Sequence, residues 1–339
     1  MATIHDVAQS AGVSPTTVSR YLNNRIELPA PTAARIDAAI AELDYRPNLL
    51  AKRLSTGKSE AIALVTPEIA NPFFAALAAA VEDEAEQHGY AVFMSSTRGD
   101  VAREVASLRR LNDRHVDGLI LMTNRPDDGT LAALIEPDSP VVLVDEDIPT
   151  AEVPRIFVEN AEGTYLATSH LIAAGHRDIA LVGGPAGLMS VRERQQGFAR
   201  AMAEHGLAAP AQRTLHGTYT REFGRAAAVQ LLALPDPPTA IVAASDYIAI
   251  GVMQALREAG LVVPRDMSIV GFDDMTFAEL MDPALTTIRQ PVAAMGRLGF
   301  QLLLARMNGD AHGDMLTRLP VEFIERRSVA RPRQGGLKT

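Results

Sequence analysis

Cysteine is absent from the 339-residue sequence. This absence excludes disulfide bonds, thiolate metal sites and cysteine nucleophiles, and it is compatible with a reducing compartment. Long apolar runs are absent too, since none approaches the roughly 18 residues that a membrane-spanning helix needs. The first residues, Met-Ala-Thr-Ile-His-Asp, lack the cationic and apolar pattern of an export signal. We therefore expect a cytoplasmic protein with no membrane partner.

Common catalytic motifs are also missing. The chain has no Gly-x-Gly-x-x-Gly dinucleotide motif, no Gly-x-x-x-x-Gly-Lys-Ser/Thr phosphate loop and no Gly-x-Ser-x-Gly nucleophile turn. The eight histidines are scattered without the spacing of metal ligands. We predict a protein that is not an enzyme and that carries no metal or cofactor. A sugar-modifying enzyme with an accessory helical domain stays a less favoured alternative.

The chain is too long for one compact core, and its charge is unevenly distributed. A length of 339 residues indicates two or more domains. The net charge is −9, but residues 1–58 hold seven basic and five acidic side chains, which is +2, and the remainder is −11. Only the first 58 residues therefore suit a polyanion, and the acidic remainder would discourage indiscriminate binding to nucleic acid.

Residues 3–23 have the pattern of a helix-turn-helix, whose second helix enters a DNA groove. Gly12 ends the first helix, Ser14 can cap the second, and Pro15 suits its first position. Apolar residues at helical spacing form the buried faces: Ile4, Val7, Ala8, Ala11, Val18 and Leu22. The start of the second helix, from Pro15 to Arg20, is left exposed for bases and phosphates. A helical hairpin that binds nothing is the alternative.

A third helix is predicted at about residues 31–44, followed by a shorter helical segment. Asn48 could cap this segment, and Gly57 would end it after roughly two turns. A helix this short is marginal in water, so we expect it to be disordered until something packs against it. A plain flexible linker is the alternative, although the apolar pair Leu50-x-x-x-Leu54 has no reason to exist in a solvated tether.

From Ala61 onward, short apolar runs alternate with amphipathic helical segments. Seven runs are predicted as strands: Ile62–Thr66, Val92–Met94, Gly118–Leu121, Val141–Val144, Ile179–Val182, Ala240–Ala243 and Ile269–Phe272. Strands separated by helices form parallel sheets, and ligands bind beyond the carboxyl ends of such strands. The predicted fold class is α/β, with an N-terminal helix-turn-helix head and a core of parallel sheets.

The chain resembles the lactose/galactose-repressor family of bacterial transcription factors. The resemblance begins in the helix-turn-helix, continues through Tyr45-Arg46-Pro47-Asn48 and extends to about residue 330. Further motifs that carry it are Gly-His-Arg-Asp-Ile-Ala at 175–180, Pro-Pro-Thr-Ala at 237–240, Gly-Phe-Asp-Asp at 271–274, Pro-Ala-Leu-Thr-Thr-Ile at 283–288 and Glu-Arg-Arg-Ser at 325–328. It implies a two-lobed core like that of periplasmic sugar-binding proteins. A transporter's solute-binding protein is a rival that needs an export signal and has no DNA-binding head.

Domain boundaries follow from this resemblance. It implies four parts: a DNA-binding head at 1–46, a hinge helix or linker at 47–58, an effector-binding core at 59–328 and a tail at 329–339. The first lobe would hold about 60–158 and 290–318, the second about 159–287 and 319–328, and the ligand cleft would lie between them. The tail has no leucine heptad, so a C-terminal tetramer bundle is not expected.

The resemblance also implies which residues contact DNA. Pro15, Thr16 and Arg20 occupy base-reading positions, and Leu54 is the wedge that a paired hinge helix inserts into the minor groove, with Leu50 against the partner helix. The predicted DNA contacts are Thr3, Ser14, Pro15, Thr16, Thr17, Ser19, Arg20, Asn23, Asn48, Ala51 and Leu54. One departure is Pro29-Ala30-Pro31, where a Ser or Asp cap is expected, so the start of the third helix could differ.

Polar and aromatic residues near the ends of the predicted strands form the candidate effector site. The resemblance implies that the effector contacts are Phe73, Phe74, Asp145, Arg194, Tyr219, Ser245 and Asp273. A carboxylate and a guanidinium can grip vicinal hydroxyls while an aromatic ring packs on the CH face of a sugar. As alternatives, Phe74 could be core, Asp145 a loop carboxylate and Asp246 a helix cap.

We therefore predict a homodimeric, allosteric transcriptional repressor of a carbohydrate-utilisation operon, which binds a palindromic operator and is released by a small sugar-like effector. Such a protein would work in the cytoplasm, at the nucleoid. A carboxylate-rich pocket favours a neutral polyhydroxyl compound over an anion. Some members of the resembled family bind purines as co-repressors, so a purine or nucleoside co-repressor is the alternative effector class.

Overall fold

The computed structural model describes residues 2–22, 26–45, 57–310 and 315–333. The chain divides into two compact units, residues 1–59 and 60–339. The first unit contains helices α1 (Ile4–Ala11), α2 (Pro15–Leu22) and α3 (Ala30–Glu42). Residues 23–25 and 46–56 lie outside the description, and with them most of the predicted hinge segment.

The three helices of the first unit pack around a small apolar core. Its buried members are Val7, Ala8, Ala11 and Val18, which the helical spacing predicts, together with Ile36 and Ala39 of α3. A capping box begins α1, because Thr3 accepts a hydrogen bond from the Asp6 amide and the Asp6 carboxylate accepts one from the Thr3 amide. Ser14 caps α2 in the predicted way, its Oγ accepting from the Thr17 amide at 3.1 Å.

Helix α3 starts and ends earlier than its predicted range of 31–44. It begins at Ala30, after Pro29, which provides no side-chain cap. The departure from the expected Ser or Asp cap therefore leaves this end uncapped. Two side chains on or facing α3 tie the helices together: Tyr21 donates to the Asp37 carboxylate at 3.0 Å, and Arg35 Nε donates to the Ala11 carbonyl at 3.1 Å.

The second unit is α/β and contains two parallel sheets. The first sheet has the order β11-β5-β4-β3-β1-β2, with parallel neighbours throughout. Its strands are β1 (Ala61–Thr66), β2 (Ala91–Ser96), β3 (Gly118–Leu121), β4 (Val141–Val144), β5 (Arg155–Val158) and β11 (Leu316–Leu319). The helices that accompany it are α4 (Pro72–Gln87), α5 (Val101–Asn112) and α10 (Val292–Met307).

The second sheet has the order β7-β6-β8-β9 and is also parallel. Its strands are β6 (Ile179–Gly183), β7 (Thr214–His216), β8 (Ala240–Ala243) and β9 (Ser268–Val270). The accompanying helices are α6 (Asn160–Ala173), α7 (Met189–Glu204), α8 (Arg221–Leu232) and α9 (Asp246–Glu258). A two-stranded antiparallel ribbon of β10 (Thr287–Arg289) and β12 (Glu322–Ile324) completes the unit. Each sheet with its helices forms one lobe.

All seven predicted strands match the observed ones to within two residues at either end. The strand predicted at Ile269–Phe272 ends earlier than expected, at Val270. Beyond that point the Gly271 amide donates to the Thr286 carbonyl at 2.8 Å, which draws the chain towards β10. Within the described ranges, no helix is both long enough and apolar enough to span a bilayer.

Candidate effector cavity and DNA-facing helix

A cavity of about 770 Å³ opens in the second unit, within the size range of small-molecule sites. Its walls come from segments that follow strands of both sheets. From the first lobe come residues after β1, β3 and β4, and from the second come residues after β6, β7, β8 and β9. This is the position that the carboxyl ends of parallel strands predict for a ligand. All seven predicted effector residues line this one cavity.

Arg194 is the buried cation of the cavity. It lies in α7, where its Nε donates to Asn160 Oδ1 at 2.9 Å and its Nη1 donates to the Ala244 carbonyl at 2.6 Å. The guanidinium carbon sits 3.8 Å from the centroid of the Phe272 ring. These contacts fix the plane of the guanidinium and use two of its five N–H groups, which leaves donors for a ligand.

Asp273 occupies a strained position directly after Phe272. Its φ of 115° lies in the left-handed region, which non-glycine residues rarely adopt. One carboxylate oxygen accepts from Gln290 Nε2 at 2.7 Å. Burial raises the pKa of Asp273 well above its ordinary value, and the Arg194 charge opposes that rise. Gln290, which the sequence analysis missed, therefore orients the carboxylate, while its own Oε1 is buried without a described partner.

Asp145 follows β4 with a φ of 72°, which turns its side chain out of the strand and into the cavity wall. Burial raises the pKa of this carboxyl, and Arg194 lowers it. The positive charge of Arg194 therefore lowers the pKa of both carboxyls, Asp145 and Asp273. The predicted role of Asp145 as a cavity residue is compatible with this placement.

The aromatic walls come from two elements. Phe73 and Phe74 lie in the first turn of α4, which Asn71 caps by accepting from the Phe73 amide at 3.0 Å, and their rings meet edge to face. Tyr219 follows β7, and burial raises its pKa to about 12. The ring of Tyr219 lies so close to Gly184 that a Cβ there would stand 2.1 Å from it, so the wall requires glycine at that position.

Ser245 lines the cavity and is also the cap of α9, since its Oγ accepts from the Ile248 amide at 3.2 Å. Asp246, offered as a possible cap, is instead a fully buried residue in the first turn. Its two oxygens accept from the Met275 amide at 2.8 Å and the Thr287 hydroxyl at 2.7 Å. Burial raises the pKa of Asp246 to about 7. It connects α9 to the loop at Met275 and to the first residue of β10, and it does not line the cavity.

Glu146 is a cavity residue that the sequence analysis did not find. It follows Asp145 directly and is only 3% exposed. Its carboxylate accepts from the Met189 amide, the Ser190 amide and the Ser190 hydroxyl, at 2.6, 3.2 and 2.7 Å. Burial raises its pKa to about 7, against the effect of these hydrogen bonds. These contacts join the first lobe to the start of α7 in the second.

Most of the predicted DNA contacts that the structure describes lie on α2 or at its cap, and Thr3 caps α1. Thr16 and Arg20 are exposed, and Pro15 is the first residue of the helix. Ser14 and Thr17 are hydrogen-bonded to each other at 2.8 Å, and Thr3 is engaged in the α1 capping box, so three of the predicted contacts also hold the local backbone. Ser19 lies partly exposed on the same helix. Asn23, Asn48, Leu50, Ala51 and Leu54 lie outside the described residues.

Comparison with known proteins places these features in a family. Residues 3–48 match the model of bacterial regulatory proteins of the lacI family, and residues 168–329 match that of a periplasmic binding protein-like domain. The transcriptional repressor PurR of Aliivibrio salmonicida is 33% identical over 330 residues, which are 97% of this chain and 99% of the relative. The chain belongs to the lacI family of bacterial DNA-binding transcriptional regulators.

Two solved structures are similar to this chain in both fold and sequence. The lac repressor dimer bound to operator and the anti-inducer ONPF has a TM-score of 0.86 at 32% identity, covering 97% of this chain and 99% of that one. The complex of the transcriptional regulator CelR with cellobiose has a TM-score of 0.74 at 31% identity, covering 97% and 100%. The predicted helix-turn-helix head and two-lobed core of parallel sheets are thereby confirmed. Within the described part of the chain, no cluster of three or more His, Asp or Glu side chains could hold a metal ion.

Proposed function

We propose that this regulator is a dimeric repressor of a carbohydrate-utilisation operon, released from its operator when a small neutral sugar binds the cavity. The observation that carries the proposal is one cavity lined by a fixed guanidinium, that of Arg194, by two carboxyls whose pKa it lowers, those of Asp145 and Asp273, and by aromatic walls. Carboxylates accept hydrogen bonds and the guanidinium donates them. Each of two vicinal hydroxyls of a sugar can therefore donate to a carboxylate and accept from the guanidinium.

The aromatic residues suit the apolar faces of a sugar ring. Phe73, Phe74 and Tyr219 line one cavity with the polar groups, so a ring could stack while its edge hydroxyls reach the carboxyls. The Tyr219 hydroxyl is buried without a well-aligned partner among the described residues, as expected of a group that awaits a ligand. The cellobiose complex of CelR supports a sugar as the ligand class for this fold.

The same aromatic walls support a second ligand class. A planar purine could stack on Phe73 or Tyr219 and present its ring nitrogens to Asp273 and Arg194. In that case the ligand would act as a co-repressor and would strengthen operator binding. The direction of the response therefore separates the two proposals.

On the DNA side, we propose that α2 enters the major groove with Pro15, Thr16 and Arg20 towards the bases, and that residues 47–58 pair with their dimer mates at the operator centre. Two heads on a two-fold dimer would meet the two halves of a palindrome. The first lobe would hold about 60–158 and 290–318, and the second about 159–287 and 319–328. Ligand binding between them would change the orientation of one lobe relative to the other and so oppose the pairing of residues 47–58.

The dimer itself would form through the free edge of the first sheet. Strand β2 is an outer strand, and its Phe93 and Met94 side chains are 56% and 39% exposed. An exposed apolar edge strand is avoided in monomeric proteins because it invites pairing with another chain. Leu280, which is 80% exposed, offers a second apolar contact from the other lobe. A second copy of this chain would cover both.

The proposal is tested by ligand screening followed by operator titration. A panel of neutral mono- and disaccharides and of purines is screened for an increase in melting temperature, since a ligand that binds the folded state raises it. Each hit is then added to the complex of the protein with a fluorescent operator, selected from random duplexes. Release by a sugar supports the proposal. Strengthened binding by a purine supports the alternative, and turnover of any hit would contradict both.

A further inference from the structure

Glu146 and the start of α7 form a contact between the two lobes. The helix begins at Met189, and the residue at its cap position is Leu188, whose side chain cannot accept a hydrogen bond. The amides of Met189 and Ser190 instead donate to the Glu146 carboxylate, at 2.6 and 3.2 Å. The first amides of a helix have no partner within the helix and need one elsewhere. Here the other lobe supplies it.

This contact has the chemistry of an anion-binding site. Free amides and the helix dipole make the start of a 16-residue helix attractive to a carboxylate or a phosphate. The Ser190 hydroxyl adds a third donor at 2.7 Å, and the Asp147 amide a fourth at 3.1 Å. Four donors around one buried carboxylate match its four acceptor positions. Glu146, Leu188 and Ser190 all line the cavity, so a ligand anion would otherwise reach these donors.

We propose that Glu146 is a built-in anion of the effector cavity, which occupies the anion site at the start of α7 and thereby restricts the cavity to neutral ligands. The inference rests on the proposed effector cavity and assigns a residue to its selectivity for charge. With Glu146 in place, the donors at the start of α7 are already occupied, and the cavity presents two buried carboxyls, those of Glu146 and Asp273, and the half-buried carboxyl of Asp145. The one buried cation among the described lining residues is Arg194, so an incoming anion finds no free donor at α7 and a carboxylate in its place.

The size of the side chain suggests a direct test. Glu146→Ala removes a methylene and a carboxylate, which together have the size of acetate. The variant should therefore expose the donors of Met189 and Ser190 in a space that acetate fits. Glu146→Gln keeps the space filled and has no room for acetate. Glu222→Ala is the matched control, because Glu222 lines the same cavity but is exposed at its rim.

The full-length variants are melted at pH 8 in sodium acetate and in sodium chloride of equal ionic strength. In chloride, Glu146→Ala should melt roughly 3 °C below the wild type, and acetate should restore most of this loss with a saturable concentration dependence. For the wild type, for Glu146→Gln and for Glu222→Ala, the melting temperature of each protein in acetate should equal its melting temperature in chloride. A folded Glu146→Ala variant, checked by circular dichroism, that is indifferent to acetate would overturn the proposal.

A second measurement does not depend on the folding of a variant. Wild-type protein is titrated with sodium acetate and with inorganic phosphate in a calorimeter, and no saturable binding to the cavity is expected. Binding that disappears in Arg194→Lys would show that the cavity accepts anions, and the proposal would be wrong. Acetate rescue is independent of the natural effector, so a failed sugar screen with successful rescue would contradict the proposed function and leave the role of Glu146 intact.

Discussion

The guanidinium carbon of Arg194 lies 3.8 Å from the centroid of the Phe272 ring, over the face of that ring. Phe272 is buried and is followed directly by Asp273, so a single segment after β9 supplies both the ring that supports the cation and the carboxyl beside it. Hydrogen bonds to Asn160 and to the Ala244 carbonyl complete the positioning. The cation is thus held in place before any ligand arrives, which lowers the entropic cost of binding.

Replacement of Arg194 by lysine should separate charge from geometry. Lysine keeps the positive charge but cannot stack on Phe272 or donate along two parallel N–H bonds. We expect the affinity for a sugar effector to fall at least about tenfold, which corresponds to about 1.4 kcal/mol, while operator affinity without effector stays unchanged. Calorimetry and operator anisotropy check the two quantities. Arg200→Lys, an exposed position on the same helix, is the control and should alter neither.

Replacement of Asp273 by alanine should abolish the response to effector without weakening operator binding. The change removes an acceptor from the cavity and leaves the Gln290 amide without its carboxylate partner. Asp83→Ala, which removes an exposed carboxylate on α4, is the matched control. Operator binding by Asp273→Ala that is still relieved by the effector at the wild-type concentration would show that this carboxyl does not contact the ligand.

The sequence predicts the cavity well because its residues follow from topology. Within a parallel sheet the carboxyl ends of the strands lie at one edge, so Asp145 after β4 and Asp273 after β9 each lie at the ligand-binding edge of their own sheet, and both line the cavity. Glu146 was missed because its function depends on a pairing across 44 residues, with Ser190 at the start of a helix in the other lobe. No local pattern distinguishes a carboxylate that faces solvent from one that caps a distant helix.

The strands show the same difference between features that the local sequence determines and features that distant contacts determine. Strands with a continuous apolar run, such as β4 and β8, match their predicted bounds because both of their faces are buried. Strands β7 and β11 were not among the predicted runs, since they are short, partly exposed and contain Thr, His or Arg. Strand β7 pairs with β6, and β11 pairs with β5. This pairing determines where the two strands form more than their own sequence does.

Asp246 should make the stability of the core depend on pH. Its pKa is raised to about 7 by burial, from an ordinary value of 3.8. Between about pH 4 and 7 the folded state therefore holds a proton that the unfolded state has lost, so this group's contribution to stability is complete at low pH and declines as the pH rises. The slope is at most about 1.4 kcal/mol per pH unit.

Asp246→Asn isolates this contribution. The asparagine oxygen can accept from the Met275 amide, and its nitrogen can donate to Thr287 Oγ1, so both contacts of the neutral acid are kept. Chemical unfolding at pH 5, 6 and 7 should show the wild type losing stability relative to the variant as the pH rises. Parallel pH profiles for the two proteins would mean that Asp246 titrates in its ordinary range.

Replacement of Phe93 by lysine should weaken the proposed dimer. Lysine is compatible with an edge strand but opposes its pairing with another chain, and Phe93 is more than half exposed at the edge of the first sheet. We expect the dimer dissociation constant from sedimentation to rise at least about tenfold, or about 1.4 kcal/mol. Operator affinity should fall with it, because two linked heads bind far more tightly than two separate ones. Val229→Lys, which alters an equally exposed apolar residue on α8, should leave both quantities unchanged. A Phe93→Lys protein that sediments as the wild type does would place the dimer contact elsewhere on the core.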